Sequence, residues 1–204
     1  MPTSPIVSEK PARKRLALFL DGTWNVVADN TNVWRMKSLC APQGTDGLRQ
    51  LVYYNAGVGT QFGSRVRGGM FGYGLDQVVI ESYEWLIEQY EEGDEIFIFG
   101  FSRGAYTARS LAGLVAKCGL LMPGAPLGVK QMYERYRRGS EARTLWALHA
   151  EPQTAMAGAL SVEEQWMLKY SMRVPIKLVG VWDTVGALGV PDGGPRPHRL
   201  AASL

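Results

Sequence analysis

Histidine and cysteine are scarce in this sequence: two of each in 204 residues, His149 and His198, Cys40 and Cys118. Two cysteines exclude a disulfide framework. Both stand among apolar neighbours in segments that read as helix, where a free thiol packs as a small hydrophobe. A reducing compartment, and hence the cytoplasm, is the default. Long apolar runs are also missing. The longest are of strand length, so no transmembrane helix is expected. Residues 1–14 carry prolines and charges without an apolar stretch, which argues against a cleaved signal peptide. Export by a route that needs no such signal is left open. Nothing repeats at a fixed period, which excludes a solenoid. Charge of one sign is weak: the net is +3, with the excess at Lys10, Arg13, Lys14 and Arg15. A short basic run of this kind is a solvated leader rather than a nucleic-acid site. No cofactor fingerprint and no metal-ligand spacing is present.

What is present is an ordinary soluble composition, 46% hydrophobic and 20% charged, in a chain long enough for one domain. Leu16–Leu20 is continuously apolar, as in a strand buried on both faces, and is ended by Asp21-Gly22. Asn30 or Thr31 can cap a short helix running through Val33, Met36, Leu39 and Cys40. A second strand falls at Leu51–Tyr54. Residues 57–74, rich in glycine, read as a long loop. Leu75, Val79, Tyr83, Leu86, Ile87 and Tyr90 predict an amphipathic helix over 75–91, with Gly93 as its stop. Glu95–Phe99 is a third strand, and helical spacing resumes over 103–118.

Residues 119–174 differ. They hold helical stretches near 129–138 and 161–170, with Ser161 and Glu164 at capping-box spacing, and no convincing strand. A fourth strand follows at Ile176–Trp182. The expected organisation is a leader (1–14), an α/β domain (15–190) with residues 119–174 as a helical cap insertion, and an irregular tail (191–204). Strands alternating with helices predict a doubly wound, mostly parallel α/β sheet.

The chemistry centres on Gly100-Phe101-Ser102-Arg103-Gly104, which fits G-x-S-x-G. In a glycine-rich chain the pattern alone is weak. Its context strengthens it, because a nucleophile elbow needs a buried strand before the serine and a helix after it. Gly100 and Gly104 remove side chains that would collide in so tight a turn. The structural alternative is a serine in a plain strand-to-helix turn. Asp183 follows the fourth strand, where strand ends form the ligand crevice of α/β sheets, and fits the acid of a triad; its alternative is a turn former. Arg103 N–H supplies one oxyanion donor. The loop Asp21-Gly22-Thr23-Trp24-Asn25 after the first strand suits the second, through Gly22 or Thr23, while Asp21 can instead organise the loop by accepting backbone hydrogen bonds. The base is harder to place. His149 precedes the acid and lies in the insertion, so it reads as a surface or packing residue. His198 has the right order but stands in a proline-rich tail.

Four motifs carry a resemblance: Leu18–Asn25, Tyr54–Thr60, Gly100–Arg109 and Gly180–Gly186. In this order they resemble the domain of type VI secretion phospholipase effectors, family one, a bacterial and fungal α/β-hydrolase domain. The resemblance implies an α/β-hydrolase fold, an esterase or phospholipase activity on ester or phospholipid substrates, a Ser102 nucleophile and an Asp183 acid. It also implies a catalytic histidine in a later segment of the form G-x-H-S-D-x-G-G-G-Y, which this chain does not contain. Three explanations follow: a chain incomplete at its C-terminus, which is favoured, His198 as a substitute, or an inactive remnant that binds a ligand or partner. Amphipathic positions such as Val162, Trp166, Met167 and Tyr170 leave peripheral membrane contact open beside plain core packing. Leu20–Thr23 also resembles part of a haloacid-dehalogenase phosphatase motif, but the nucleophilic aspartate would fall on Phe19. Residues 68–74 do not form a dinucleotide fingerprint.

Overall fold

Four apolar runs become one parallel sheet. A computed structural model describes residues 13–22, 30–57, 71–150 and 160–186. Strands β1 (Lys14–Leu20), β2 (Arg49–Asn55), β3 (Glu95–Phe101) and β6 (Ile176–Trp182) lie in the order β2-β1-β3-β6, all parallel. Between them run α1 (Asn32–Leu39), α2 (Phe71–Gln89) and α3 (Arg103–Cys118). The chain moves from β1 outward to β2, then crosses back over β1 to β3. The sheet is therefore doubly wound, with its switch point between β1 and β3.

Alternation along the strands divides the core. Leu16, Leu18 and Leu20, with Ile96 and Ile98, face α2 and α3 and are fully buried. Ala17 and Phe19 face the other way and pack with Val33 of α1. Phe19 stacks on Phe99 with ring centroids 5.1 Å apart. Helix α3 can lie close to the sheet because Ala105 and Ala108 are small and wholly buried.

Several boundaries differ from the sequence reading. Helix α2 begins at Phe71, inside the stretch read as loop. Glycine lowers helix propensity by about 1 kcal/mol per residue. The buried face of Leu75, Val79, Tyr83 and Leu86 outweighs that cost at Gly72 and Gly74. Residues 58–70 lie outside the described residues. Gly93 does not end α2 directly; it sits at φ 100° in the turn between Glu91 and Asp94. Thr31 caps α1 by accepting the Trp34 N–H, and Cys40 lies just past that helix rather than in it. Cys118 ends α3 fully buried, and burial pushes its thiol up to about 11.

The insertion contains β4 (Leu120–Leu121), α4 (Val129–Arg137), α5 (Leu145–Ala150), α6 (Val162–Tyr170) and β5 (Ser171–Met172). The two short strands pair antiparallel. Two residues each are too few to show a period, which is why they were not legible. α6 begins with both arms of the Ser161–Glu164 capping box. Arg135 of α4, only 2% exposed, donates to Glu163 and Glu164 of α6 and fastens the two helices. Tyr133 and Arg137 of α4 reach Asp76 of α2, and Tyr136 packs over Gly113 of α3. The described insertion thus lies against the outer side of α2 and α3. Strand β6, whose apolar run reads as an interior strand, stands at the edge of the described sheet with Leu178 and Val179 exposed.

Candidate active site

The carboxyl ends of β1, β3 and β6 bring three sequence-predicted positions to one rim. In register, Leu20 lies beside Gly100, and Phe101 beside Trp182. Asp21, Ser102 and Asp183 are therefore the residues at or just past neighbouring strand ends.

Ser102 joins β3 to α3 at φ 55°, ψ −119°, a conformation that only glycine adopts readily. For a non-glycine residue it costs on the order of 1–3 kcal/mol and persists only where the surroundings impose it. Here they do. The Ser102 N–H donates to the Trp182 carbonyl at 2.9 Å, and the Val185 N–H donates to the Ser102 carbonyl at 3.2 Å. A Cβ on Gly100 would strike the Gly104 carbonyl and come within 2.7 Å of the Ala105 Cα. A Cβ on Gly104 would strike the Leu20 carbonyl and lie 2.5 Å from that of Asp21. A serine at the start of a helix ordinarily caps it by accepting a backbone N–H. Ser102 makes no side-chain cap bond, so its hydroxyl is not consumed by the helix. Arg103 is the first residue of α3, directly after Ser102.

Asp183 follows Trp182 directly, at φ 46°, with an exposed side chain. Asp21 is its opposite, 2% exposed. Its Oδ1 accepts the Gly22 N–H at 2.8 Å, and its Oδ2 accepts the Thr31 hydroxyl at 2.7 Å and the Tyr54 hydroxyl at 3.1 Å. The Gly22 amide is thereby engaged by its own neighbour. The Gly22 carbonyl faces Gly57, where a Cβ would come within 2.7 Å of it and where φ is 80°. Burial, then the Asp21 charge, pushes the Tyr54 hydroxyl pKa well above the usual tyrosine range. Tyr54 and Thr31 were not among the sequence-derived site residues; the signal was Tyr54 standing three residues before Gly57, in the second motif.

Thr23 and His198 lie outside the described residues. His149 is exposed on α5. Leu145 at the start of that helix packs against Gly119, the cap that ends α3, so His149 belongs near the opposite end of α3 from Ser102. A helix of 16 residues is about 24 Å long.

The family described as "T6SS, Phospholipase effector Tle1-like, catalytic domain" matches residues 14–199. The chain belongs to this family. The Tle1-like match takes in the six described strands, the elbow and the Asp183 turn. Among curated proteins, the uncharacterized protein YEL023C of Saccharomyces cerevisiae is 27% identical over 201 residues, which cover 90% of this chain and 28% of the yeast protein. The chain thus spans less than a third of that relative's length. No solved structure matches it. None of the described helices is long and apolar enough to cross a membrane.

Proposed function

We propose that this Tle1-like domain is a serine hydrolase of the α/β-hydrolase type that cleaves carboxylic ester bonds, with phospholipid as the substrate class favoured by the family. The observation that carries this proposal is the Ser102 backbone. A serine held at φ 55° between a buried strand and a helix, and not capping that helix, carries a strain cost that a hydroxyl used in chemistry would explain. Family membership supports the ester chemistry.

In the proposed reaction, Ser102 Oγ attacks the acyl carbonyl and its proton passes to a base. The alcohol leaves with that proton, and water then hydrolyses the acyl-enzyme. His198 is the base proposed within this chain, and Asp183 orients it. Developing negative charge on the carbonyl oxygen meets the N-terminus of α3. The proposed donors there are the Arg103 N–H and the N–H of Thr23, since Asp21 holds the Gly22 amide. Asp21, Gly100 and Gly104 shape the backbone around these groups.

A second proposal is a non-catalytic remnant that binds a ligand or partner; His149, one of the two histidines, belongs near the far end of α3 from Ser102 and does not serve as its base. Fluorophosphonate labelling of the whole chain decides between the two. Labelling that disappears in Ser102→Ala, together with fatty-acid release from phosphatidylcholine or phosphatidylglycerol vesicles, is the expected result. A folded chain that neither labels nor releases fatty acid is the remnant.

A further inference from the structure

The elbow is packed directly onto the backbone of Leu20 and Asp21, because Gly104 leaves no space between them. Whatever holds Asp21 therefore holds one wall of the site. The carboxylate is buried, and Asp21 is anchored along its backbone too: its N–H donates to the Asn55 carbonyl at 2.8 Å. Asn55 in turn accepts the Gly57 N–H on its side-chain oxygen at 2.8 Å, and Gly57 abuts the Gly22 carbonyl. Tyr54 comes from the strand that pairs with β1, and Thr31 from the cap of α1. Their hydroxyls meet on the same carboxylate oxygen. The Tyr54 ring is itself fixed, edge-on to Trp34 at 5.3 Å between centroids, with the Lys37 ammonium 5.7 Å from its centre.

A hydroxyl donating to a buried carboxylate is one of the stronger neutral-to-charged hydrogen bonds. Two hydroxyls donate to Oδ2, and Oδ1 accepts the Gly22 amide. That holds the Gly22 amide in place at the end of β1. Within the proposed serine-hydrolase chemistry, on which this inference rests, this backbone is one wall of the site. We propose that Tyr54 is a positioning residue of the active site: its hydroxyl, with that of Thr31, holds the Asp21 carboxylate onto the Gly22 amide and so fixes the Asp21 backbone on which the elbow packs. Tyr54 touches neither the substrate nor Ser102 in this role; it acts through Asp21. Its raised hydroxyl pKa agrees with a side chain that stays protonated and donating.

The test uses the full chain with Tyr54→Phe, which keeps the ring packing and removes only the hydroxyl, and with Thr31→Val and Thr31→Ser. Labelling by a fluorophosphonate is measured well below each thermal midpoint, so that every variant is folded. Tyr54→Phe should label roughly tenfold more slowly, the loss expected from one weakened oxyanion contact or less. Ester turnover should lose kcat at nearly constant KM. Thr31→Val should act in the same direction, and Thr31→Ser should restore the wild-type rate. Unchanged labelling in Tyr54→Phe, with the wild type labelling normally, would overturn the proposal. Should the wild type itself not label, the serine-hydrolase reading fails, and amide exchange still decides the positioning. Exchange at Asp21 and Gly22 should speed up in Tyr54→Phe while that of Ile96 and Ile98 stays constant. Equal exchange at Asp21 and Gly22 in both proteins would sink the positioning role on its own.

Discussion

Gly104 rests against the carbonyl oxygen of Leu20, and a methyl group between them has nowhere to go. Both neighbours of that gap are backbone, in the first turn of a helix and the last residue of a central strand, so neither can turn aside as a side chain would. Gly104→Ala should therefore cost about 3 kcal/mol or more, at the upper end for overpacking. The check is the urea midpoint at constant m-value.

Ser102 makes the reverse prediction. Its positive φ is a strain that glycine does not feel. Ser102→Gly should abolish labelling and ester hydrolysis yet stabilise the fold by about 1 kcal/mol, whereas Ser102→Ala should abolish both without that gain. Chemical denaturation of the three proteins measures the difference. A Ser102→Gly protein less stable than Ser102→Ala would refute the strain.

Asp183 is exposed, so its removal should separate activity from stability. Asp183→Asn should leave the unfolding free energy within about 0.5 kcal/mol of wild type. If Asp183 orients the base, kcat should fall on the order of 10³–10⁴-fold. Steady-state ester kinetics alongside a melting curve test both halves at once.

Glu164 governs the acid limit. Hydrogen bonding to the Arg143 guanidinium, aided by the Ser161 amide and hydroxyl and opposed by burial, holds its carboxyl down at about 2, against an ordinary value of 4.5. A carboxyl depressed on folding stabilises the protein above its unfolded pKa and loses that contribution as pH falls through the folded value. Stability should thus fall between about pH 4.5 and pH 2, by on the order of 1–3 kcal/mol from this group. Glu164→Gln should be less stable at neutral pH and flatter across that window, as read by urea titrations at successive pH values.

The local signals were strong enough to specify the strands of the main sheet and the helices between them. Leu16–Leu20 and Ile96–Phe99 are apolar without alternation, as expected of strands covered on both faces. Residues 103–118 became one helix with the expected bounds, because its small buried face left no competing period. The Ser161–Glu164 capping box was readable because its two hydrogen bonds join residues three apart. The glycine spacing around Ser102 likewise marked the tight turn, since the requirement for missing Cβ atoms is local to five residues.

Contacts between distant segments were not readable. Nothing in the order of residues announces that Thr31 and Tyr54 converge on Asp21, for they arrive from a helix cap and a neighbouring strand. The engaged Gly22 amide is of the same kind: a side chain one residue away claims it only once Asp21 has been buried and oriented. The edge position of β6 depends on which strands pair, not on its own apolar run. The sequence by itself determined the four strands of the main sheet, their alternation with helices and the strained turn at Ser102, because those follow from periodicity and steric limits within a few residues. Only the tertiary structure decided what surrounds Ser102, because hydrogen bonds and close packing between segments far apart in the chain exist only once the sheet has brought their ends to one rim.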